Sequence, residues 1–323
     1  MMGKFLDTLL EETVVGSYTN VGYYLRRPWW DDADLDVDMT GKVCLVTGAN
    51  AGLGYATSEA LAARGATVVM LARHAERGRA ARERLIERTG NPHATLELAD
   101  MSNLASVREF AVRFAATYPR LDVLIHNASV LPRERRLSPE GIELTCATNV
   151  VGPFLLTQLL VPLLERSAPA RVIWVSSGGM YTQKLDVDAL PTGPTPFNGV
   201  IAYAQTKRAQ VILSELWAER LAGGGITVNA MHPGWADTRG MQASLPLFHQ
   251  VSRAFLRTSQ QGADTIVWLA VASAVAGESG KFWFDRRPRS PYKLGWGRSA
   301  SAERQRLWAL CEELAEREKV TAS

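Results

Sequence analysis

Val43-Cys44-Leu45-Val46-Thr47-Gly48-Ala49-Asn50-Ala51-Gly52-Leu53-Gly54 is the stretch on which the fold turns. An apolar, partly β-branched run ends at Thr47, a glycine-punctuated turn follows, and helical periodicity begins at Tyr55–Arg64. Glycines between a strand and a helix have a physical use. Gly48 permits a tight turn, Gly52 lets the backbone approach a pyrophosphate, and Gly54 lets helix and strand pack closely. The first-turn N–H groups of the helix then face the phosphates. Gly48, Asn50, Gly52, Leu53 and Gly54 therefore form a candidate dinucleotide cradle.

Outward from this turn the chain alternates. Short apolar runs recur at Thr67–Leu71, Thr95–Leu98, Val123–His126, Val172–Val175 and Ile226–Ala230, and a seventh is expected at Lys281–Phe284. Helical segments lie between most of them, among them Leu104–Tyr118, Val150–Arg166 and Tyr203–Leu221. Continuous apolar strands alternating with helices predict an α/β fold: a doubly wound, Rossmann-like parallel sheet of about seven strands in three α/β/α layers. The expected division is an N-terminal extension over 1–40, a dinucleotide-binding and catalytic domain over 41–285, and a tail over 286–323. The tail reads as a solvated turn at Arg286-Arg287-Pro288-Arg289 followed by a helix over Ser301–Lys319, with a homodimer contact as its alternative use.

Composition narrows the classes. The 323 residues carry 36 basic and 33 acidic side chains, a net charge of +3, and no basic run beside aromatic platforms, so nucleic acid is not an expected partner. Cys44, Cys146 and Cys311 are odd in number and far apart, which argues against a disulfide framework or a zinc site. No run of roughly 18 to 20 unbroken apolar residues is present to span a bilayer. A cytoplasmic protein is the expectation. Tyr18, Tyr23, Tyr24, Trp29 and Trp30 in the extension are expected to pack on the main domain; membrane contact is disfavoured by the acidic stretch from Asp31 to Asp38.

The second strand selects among dinucleotides. Where a carboxylate would accept hydrogen bonds from free ribose hydroxyls, about 20 residues beyond the glycines, this chain has Arg73 followed by His74. A planar cation there suits a 2′-phosphate, so NADP(H) is preferred over NAD(H), with Arg77 as a helper.

Tyr203-Ala204-Gln205-Thr206-Lys207 sets a phenol and an ammonium four residues apart, on one face of a helix. A nearby cation favours the phenolate and makes tyrosine a usable acid/base near neutrality. Ser176 and Ser177 close the fifth strand at the edge where open parallel sheets bind ligands. Ser177 is the preferred hydroxyl for a substrate carbonyl oxygen.

Together these motifs resemble the short-chain dehydrogenase/reductase family. The resemblance covers about residues 41–285 and runs in order through Thr47–Gly54, Asp100, Asn127-Ala128, Asn149, Ser177, Tyr203 with Lys207, and Pro233-Gly234 with Thr238. It implies an oxidoreductase in which Tyr203 exchanges a proton with a carbonyl or alcohol oxygen. Lys207 would lower the tyrosine pKa and bind the nicotinamide ribose, Ser177 would orient the substrate, and Asn149 would hold a water linking Lys207 to solvent. The resemblance also implies that Asn127 lies along the cofactor, that Asp100 binds the adenine amine and that Thr238 binds the carboxamide. No metal is expected. The chain departs from the family at His126-Asn127-Ala128-Ser129, where Ser129 adds a side chain close to the expected ribose path. His126 reads as a packed polar residue.

Between Thr238 and Gln261 the apolar residues Met241, Leu245, Leu247, Phe248, Val251, Phe255 and Leu256 divide between core packing and an apolar substrate pocket, which would suit a lipophilic carbonyl or alcohol. A cofactor-binding but catalytically idle sensor or scaffold is the competing class, motivated by Ser129 and the aromatic extensions.

Overall fold

The structure is a computed structural model that describes residues 7–8, 10–237, 242, 246–292 and 299–318. The extension supplies α1 (Val14–Tyr18) and α2 (Asn20–Arg26). There follow β1 (Val43–Thr47), α3 (Gly52–Ala62), β2 (Thr67–Ala72), α4 (Ala75–Thr89), β3 (Ala94–Leu98), α5 (Leu104–Thr117) and β4 (Val123–His126). The helix α6 (Leu144–Arg166) precedes β5 (Ala170–Val175), α7 (Gly199–Arg220) and β6 (Ile226–Met231). Last come α8 (Pro246–Ser252), α9 (Ser259–Val271), β7 (Phe282–Phe284), β8 (Arg287–Arg289) and α10 (Ser301–Glu316).

The strands lie in the order β3-β2-β1-β4-β5-β6-β7-β8, parallel through β7. The chain reverses direction across the sheet between β1 and β4, the place where doubly wound sheets open a ligand crevice. Period-two alternation builds the two cores. Val43 and Leu45 of β1 join the core under α5, α6, α7 and α10. Cys44 and Val46 join the core under α3, α4 and α9. Both faces of the sheet are therefore covered, which is why its strands read as continuous apolar runs.

α6 is long and apolar enough by composition to cross a membrane, yet it is mostly buried inside the protein. Its first part widens into a π turn over Ala147–Val151, which contains Asn149. Such turns are inserted where a helix must present a residue out of register.

The Arg286–Arg289 segment departs from the expected solvated turn. Arg287–Arg289 pairs antiparallel with β7, so the described sheet has eight strands where about seven were expected. Asp285 and Arg286 both take positive φ, 50° and 56°, as a two-residue primed hairpin requires. Neither is glycine, so buried charge holds the turn. Asp285 receives Arg257 Nη1 at 2.6 Å and Arg26 Nη1 at 3.1 Å, while Arg286 Nε meets Asp264 at 2.8 Å. Arg289 reaches Asp7 at 2.8 Å and Glu11 at 2.6 Å. Pro288 donates no ladder hydrogen bond and sits where that is tolerated, on an edge strand. Asp7, Glu11 and Arg26 lie in the extension, far away in sequence, so local pattern alone did not reveal this strand.

The same ion pairs bind the extension to the body. Tyr18 stacks on Trp235 with ring centroids 5.7 Å apart, and Trp235 N donates to the Tyr18 carbonyl at 2.7 Å. At the other end, Trp308 of α10 packs between Phe154 and Trp217.

Candidate active site

The glycine turn is built as its composition requires. Gly48 and Gly52 have φ of +67° and +56°, a region side chains disfavour. A Cβ on Gly54 would lie 2.4 Å from Asn127 Nδ2 and 2.5 Å from the Gly48 carbonyl oxygen. No side chain is compatible with that spacing. α3 starts at Ala51 without a side-chain cap, so its first-turn N–H groups are left for an outside acceptor. Asn50 and Leu53 flank this opening, and Leu53 packs toward Gly262. The cradle fits a pyrophosphate on these grounds.

Asn127, one residue beyond β4, fastens that turn: its Nδ2 donates to the Thr47 carbonyl at 2.8 Å, and Thr47 Oγ1 accepts from the N–H groups of Asn127 and Ala128. Arg73, at the end of β2, is exposed, with Nε 3.1 Å from His74 Nε2. Asp100 follows β3 and turns one carboxylate oxygen onto the N–H and hydroxyl of Ser102, at 2.9 and 2.7 Å. Thr238, Met241 and Leu245 lie outside the described residues.

The candidate acid/base pair sits at the C-terminal edge of β5. Tyr203 and Lys207 share one face of α7, and Lys207 Nζ is 5.3 Å from the centre of the phenol ring. Burial raises the tyrosine pKa, while hydrogen bonding with Ser177 and Ser129 pulls it back. Burial also lowers the Lys207 pKa to about 7. An ammonium beside a phenol makes a tyrosinate less costly, so each charge favours the other across this pair.

Ser176 and Ser177 divide their roles. The Ser176 hydroxyl donates to the Lys207 carbonyl at 2.8 Å and is buried. Ser177 caps the following 3₁₀ turn, accepts from Gly179 N at 3.1 Å and faces the phenol. Ser129 is exposed, and its hydroxyl is one of the two that pull the Tyr203 pKa back from its burial-raised position. His126 is a packed polar group: its Nε2 lies 2.7 Å from Thr157 Oγ1, its ring is 4.5 Å from Trp174, and burial holds its pKa down to about 3.

Asn149 and Lys207 are joined differently from the expectation. Asn149 spends its side chain on the β4 loop, accepting from Val130 N at 2.9 Å and donating to Val130 O at 3.2 Å and to Thr206 Oγ1 at 3.1 Å. Between its carbonyl and Lys207 stands the amide of Gln210. Lys207 Nζ donates to Gln210 Oε1 at 3.0 Å, and Gln210 Nε2 donates to the Asn149 carbonyl at 2.6 Å. Lys207 Nζ also donates to the Val175 carbonyl at 2.9 Å.

Gln210 and Tyr18 were not legible as site residues. Gln210 lies three places past Lys207, a same-face spacing that could have flagged it. Tyr18 comes from the extension: a Cβ on Gly178 would lie 2.3 Å from its ring, so it covers the backbone just after Ser177. No spacing in the sequence points to it. Among the described residues no cluster of three or more His, Cys, Asp or Glu side chains is arranged to hold a metal.

Comparison with known proteins identifies the family. The family model described as short chain dehydrogenase matches residues 42–246. The chain is 42% identical over 305 residues to dehydrogenase/reductase SDR family member 12 of Bos taurus, covering 94% of this chain and 95% of that one. It is 33% identical to retinol dehydrogenase 13 of Homo sapiens, covering 83% of each. An uncharacterised protein from Mycobacterium paratuberculosis superposes with a TM-score of 0.70 at 28% identity, over 90% of this chain and 99% of that one. With its cradle, its tyrosine–lysine pair and these relatives, the chain belongs to the short-chain dehydrogenase/reductase family of oxidoreductases.

Proposed function

We propose that the chain interconverts a lipophilic carbonyl and its alcohol using NADP(H), with Tyr203 as the general acid/base. The observation that carries this reading is a convergence. The phenol of Tyr203, the hydroxyl of Ser177 and the ammonium of Lys207 meet at the end of β5. The β4 loop, whose Ser129 hydroxyl pulls down the pKa of that phenol, also grips the glycine turn through Asn127.

The nicotinamide, when bound, supplies or accepts the hydride. In the reducing direction the phenol of Tyr203 gives its proton to the carbonyl oxygen. Ser177 donates to that same oxygen and fixes its angle of approach. Lys207 stabilises the tyrosinate left behind and offers a remaining N–H to the cofactor ribose. Gly48, Gly52 and Gly54 admit the pyrophosphate, with Asn50 and Leu53 at the rim. Arg73 is the cation for a 2′-phosphate, which favours NADP(H) over NAD(H). Asp100 and Asn127 lie along the adenosine and ribose path.

Two observations favour a lipophilic substrate. In the segment before Gln261, Leu256 is buried, but Leu247, Val251 and Phe255 remain 73%, 77% and 50% exposed. Large apolar side chains left exposed over one short segment suit contact with an apolar molecule. One relative is named for retinol.

The test is NADPH oxidation against a panel of all-trans-retinal, a long-chain aldehyde, a steroid ketone and small polar aldehydes, run beside Tyr203→Phe. Turnover of the lipophilic members is expected. Tyr203→Phe should lose about 10²- to 10⁴-fold in kcat while its NADPH affinity stays close to wild type. Turnover confined to the small polar aldehydes would refute the substrate class. Undiminished turnover by Tyr203→Phe would refute the acid/base assignment. Binding of NADPH with no turnover at all would leave a sensor or scaffold.

A further inference from the structure

Gly178 and Gly179 follow Ser177 in the 3₁₀ turn Gly178–Thr182, and neither has a positive φ that would call for glycine. Around Gly179 there is room, since a Cβ there would meet nothing closer than Ser177 Oγ at 3.5 Å. Gly178 is different. A Cβ on it would lie 2.3, 3.1 and 3.2 Å from three ring carbons of Tyr18, so the missing side chain is what lets that ring rest on the backbone beside Ser177. The neighbouring strand end repeats the pattern. Gly234, just past β6, would set a Cβ 2.8 Å from the Tyr18 carbonyl oxygen. The ends of β5 and β6 are thus both cut back for one residue of the extension.

Tyr18 is held there by its backbone and by its ring. Its carbonyl accepts from Trp235 N at 2.7 Å. Arg257, which is 1% exposed and paired with Asp285, donates from Nη2 to the Ser17 carbonyl at 3.0 Å and from Nε to the Thr19 carbonyl at 3.1 Å. The rings of His232, Trp235 and Phe284 lie 5.3, 5.7 and 6.1 Å from that of Tyr18 and fix its tilt. Yet Tyr18 is only half-buried. A pinned aromatic surface is therefore left next to the hydroxyl that the proposed function gives to the substrate carbonyl. A ring already fixed in place loses little further freedom when a flat π system comes against it. Such pairs also gain beyond the area they bury.

Resting on the function proposed above, we infer that Tyr18 is a specificity-determining residue contributed by the extension. Its ring forms one wall of the substrate site beside Ser177 and favours carbonyls conjugated to a planar unsaturated or aromatic group over saturated ones of the same length. Because the ring lies on the residue next to Ser177, the part of the substrate it reads is the part next to the carbonyl, which conjugation makes flat.

The test uses NADPH-dependent reduction of two matched pairs, cinnamaldehyde with hydrocinnamaldehyde and benzylideneacetone with benzylacetone. The proteins are wild type, Tyr18→Leu, Tyr18→Phe, Gly178→Ala and the double variant Tyr18→Leu with Gly178→Ala. Conjugation also alters reactivity, so the readout is the change between variants in the ratio of kcat/KM, conjugated over saturated. Tyr18→Leu keeps an apolar side chain but loses the flat ring, and the ratio should fall about 2- to 12-fold, the worth of one aromatic pair. The fall should lie in KM for the conjugated member rather than in kcat. Tyr18→Phe keeps the ring and should keep the ratio. Gly178→Ala supplies the same test with Tyr18 intact, because its methyl group displaces the ring; the ratio should fall again, and the double variant should lose less than the product of the two single losses. A ratio unchanged in Tyr18→Leu, a fall confined to kcat, or losses that simply multiply would overturn the role of Tyr18. So would an active wild type that turns over neither pair. Wild type without turnover on any carbonyl refutes the enzyme reading itself, which keeps the two failures apart.

Discussion

Lys207→Met should make the cofactor-free protein's stability respond to pH in the opposite sense from the loss of an ordinary salt bridge. Lys207 is buried, and its pKa falls from 10.5 to about 7. Between those values the unfolded chain binds a proton that the folded chain does not, so stability rises with pH over that window. At about 1.4 kcal/mol per pH unit, charging this side chain within the fold costs about 5 kcal/mol below pH 7, and the cost fades towards pH 10.5. Methionine removes that term. It also leaves the Val175 carbonyl and Gln210 Oε1 without their donor, at about 1–3 kcal/mol each and at every pH. The absolute difference between the two proteins therefore mixes two effects, but its pH dependence isolates one. Urea unfolding at constant ionic strength should show wild type gaining about 4 kcal/mol on Lys207→Met between about pH 6 and pH 10. Parallel stability curves would mean that the ammonium is hydrated or neutralised in the fold, and the tuning of this pair by burial would fall with it.

Other expectations follow from the same contacts. Arg73→Asp should weaken NADPH binding about 10- to 100-fold, the worth of one charge-assisted hydrogen bond, while NADH binding changes little; calorimetry of both dinucleotides checks this, and equal losses would remove Arg73 as the discriminator. Asp285→Ala leaves Arg26 and Arg257 buried without their shared carboxylate, at a cost of about 3–5 kcal/mol. Limited proteolysis of that variant should cut first in the extension, because Arg26 and Arg257 tie it to β7 and β8; a first cut elsewhere would show that the extension is held by other contacts.

The parallel sheet was legible because its physics is local. Strands buried on both faces must be apolar throughout, and the runs from Val43 to Thr47 and from Ile226 to Met231 say so without reference to anything distant. The glycine turn was equally plain, since Gly48, Gly52 and Gly54 have a use only if something approaches the backbone closely. Tyr203 and Lys207 announced themselves by helical spacing, and the structure accounts for the preference for Ser177 over Ser176, whose hydroxyl is spent on the Lys207 carbonyl.

What the sequence could not state is who meets whom across long separations. β8 exists because Asp7 and Glu11 neutralise Arg289, and its hairpin turns at two non-glycine residues because Arg26, Arg257 and Asp264 compensate them. Tyr18 becomes a wall beside Ser177 only once the extension is folded back over Gly178. Gln210 reads as one polar residue on a long helix until tertiary packing sets its amide between Lys207 and Asn149. By itself, then, the chain's pattern determined the layers, the glycine turn and the tyrosine–lysine pairing on one helix face, each written in spacings of a few residues. Tertiary structure alone decided how the charges are shared and what packs around the Tyr203–Lys207 pair, because burial and hydrogen-bond partnership depend on neighbours in space that no short stretch of sequence contains.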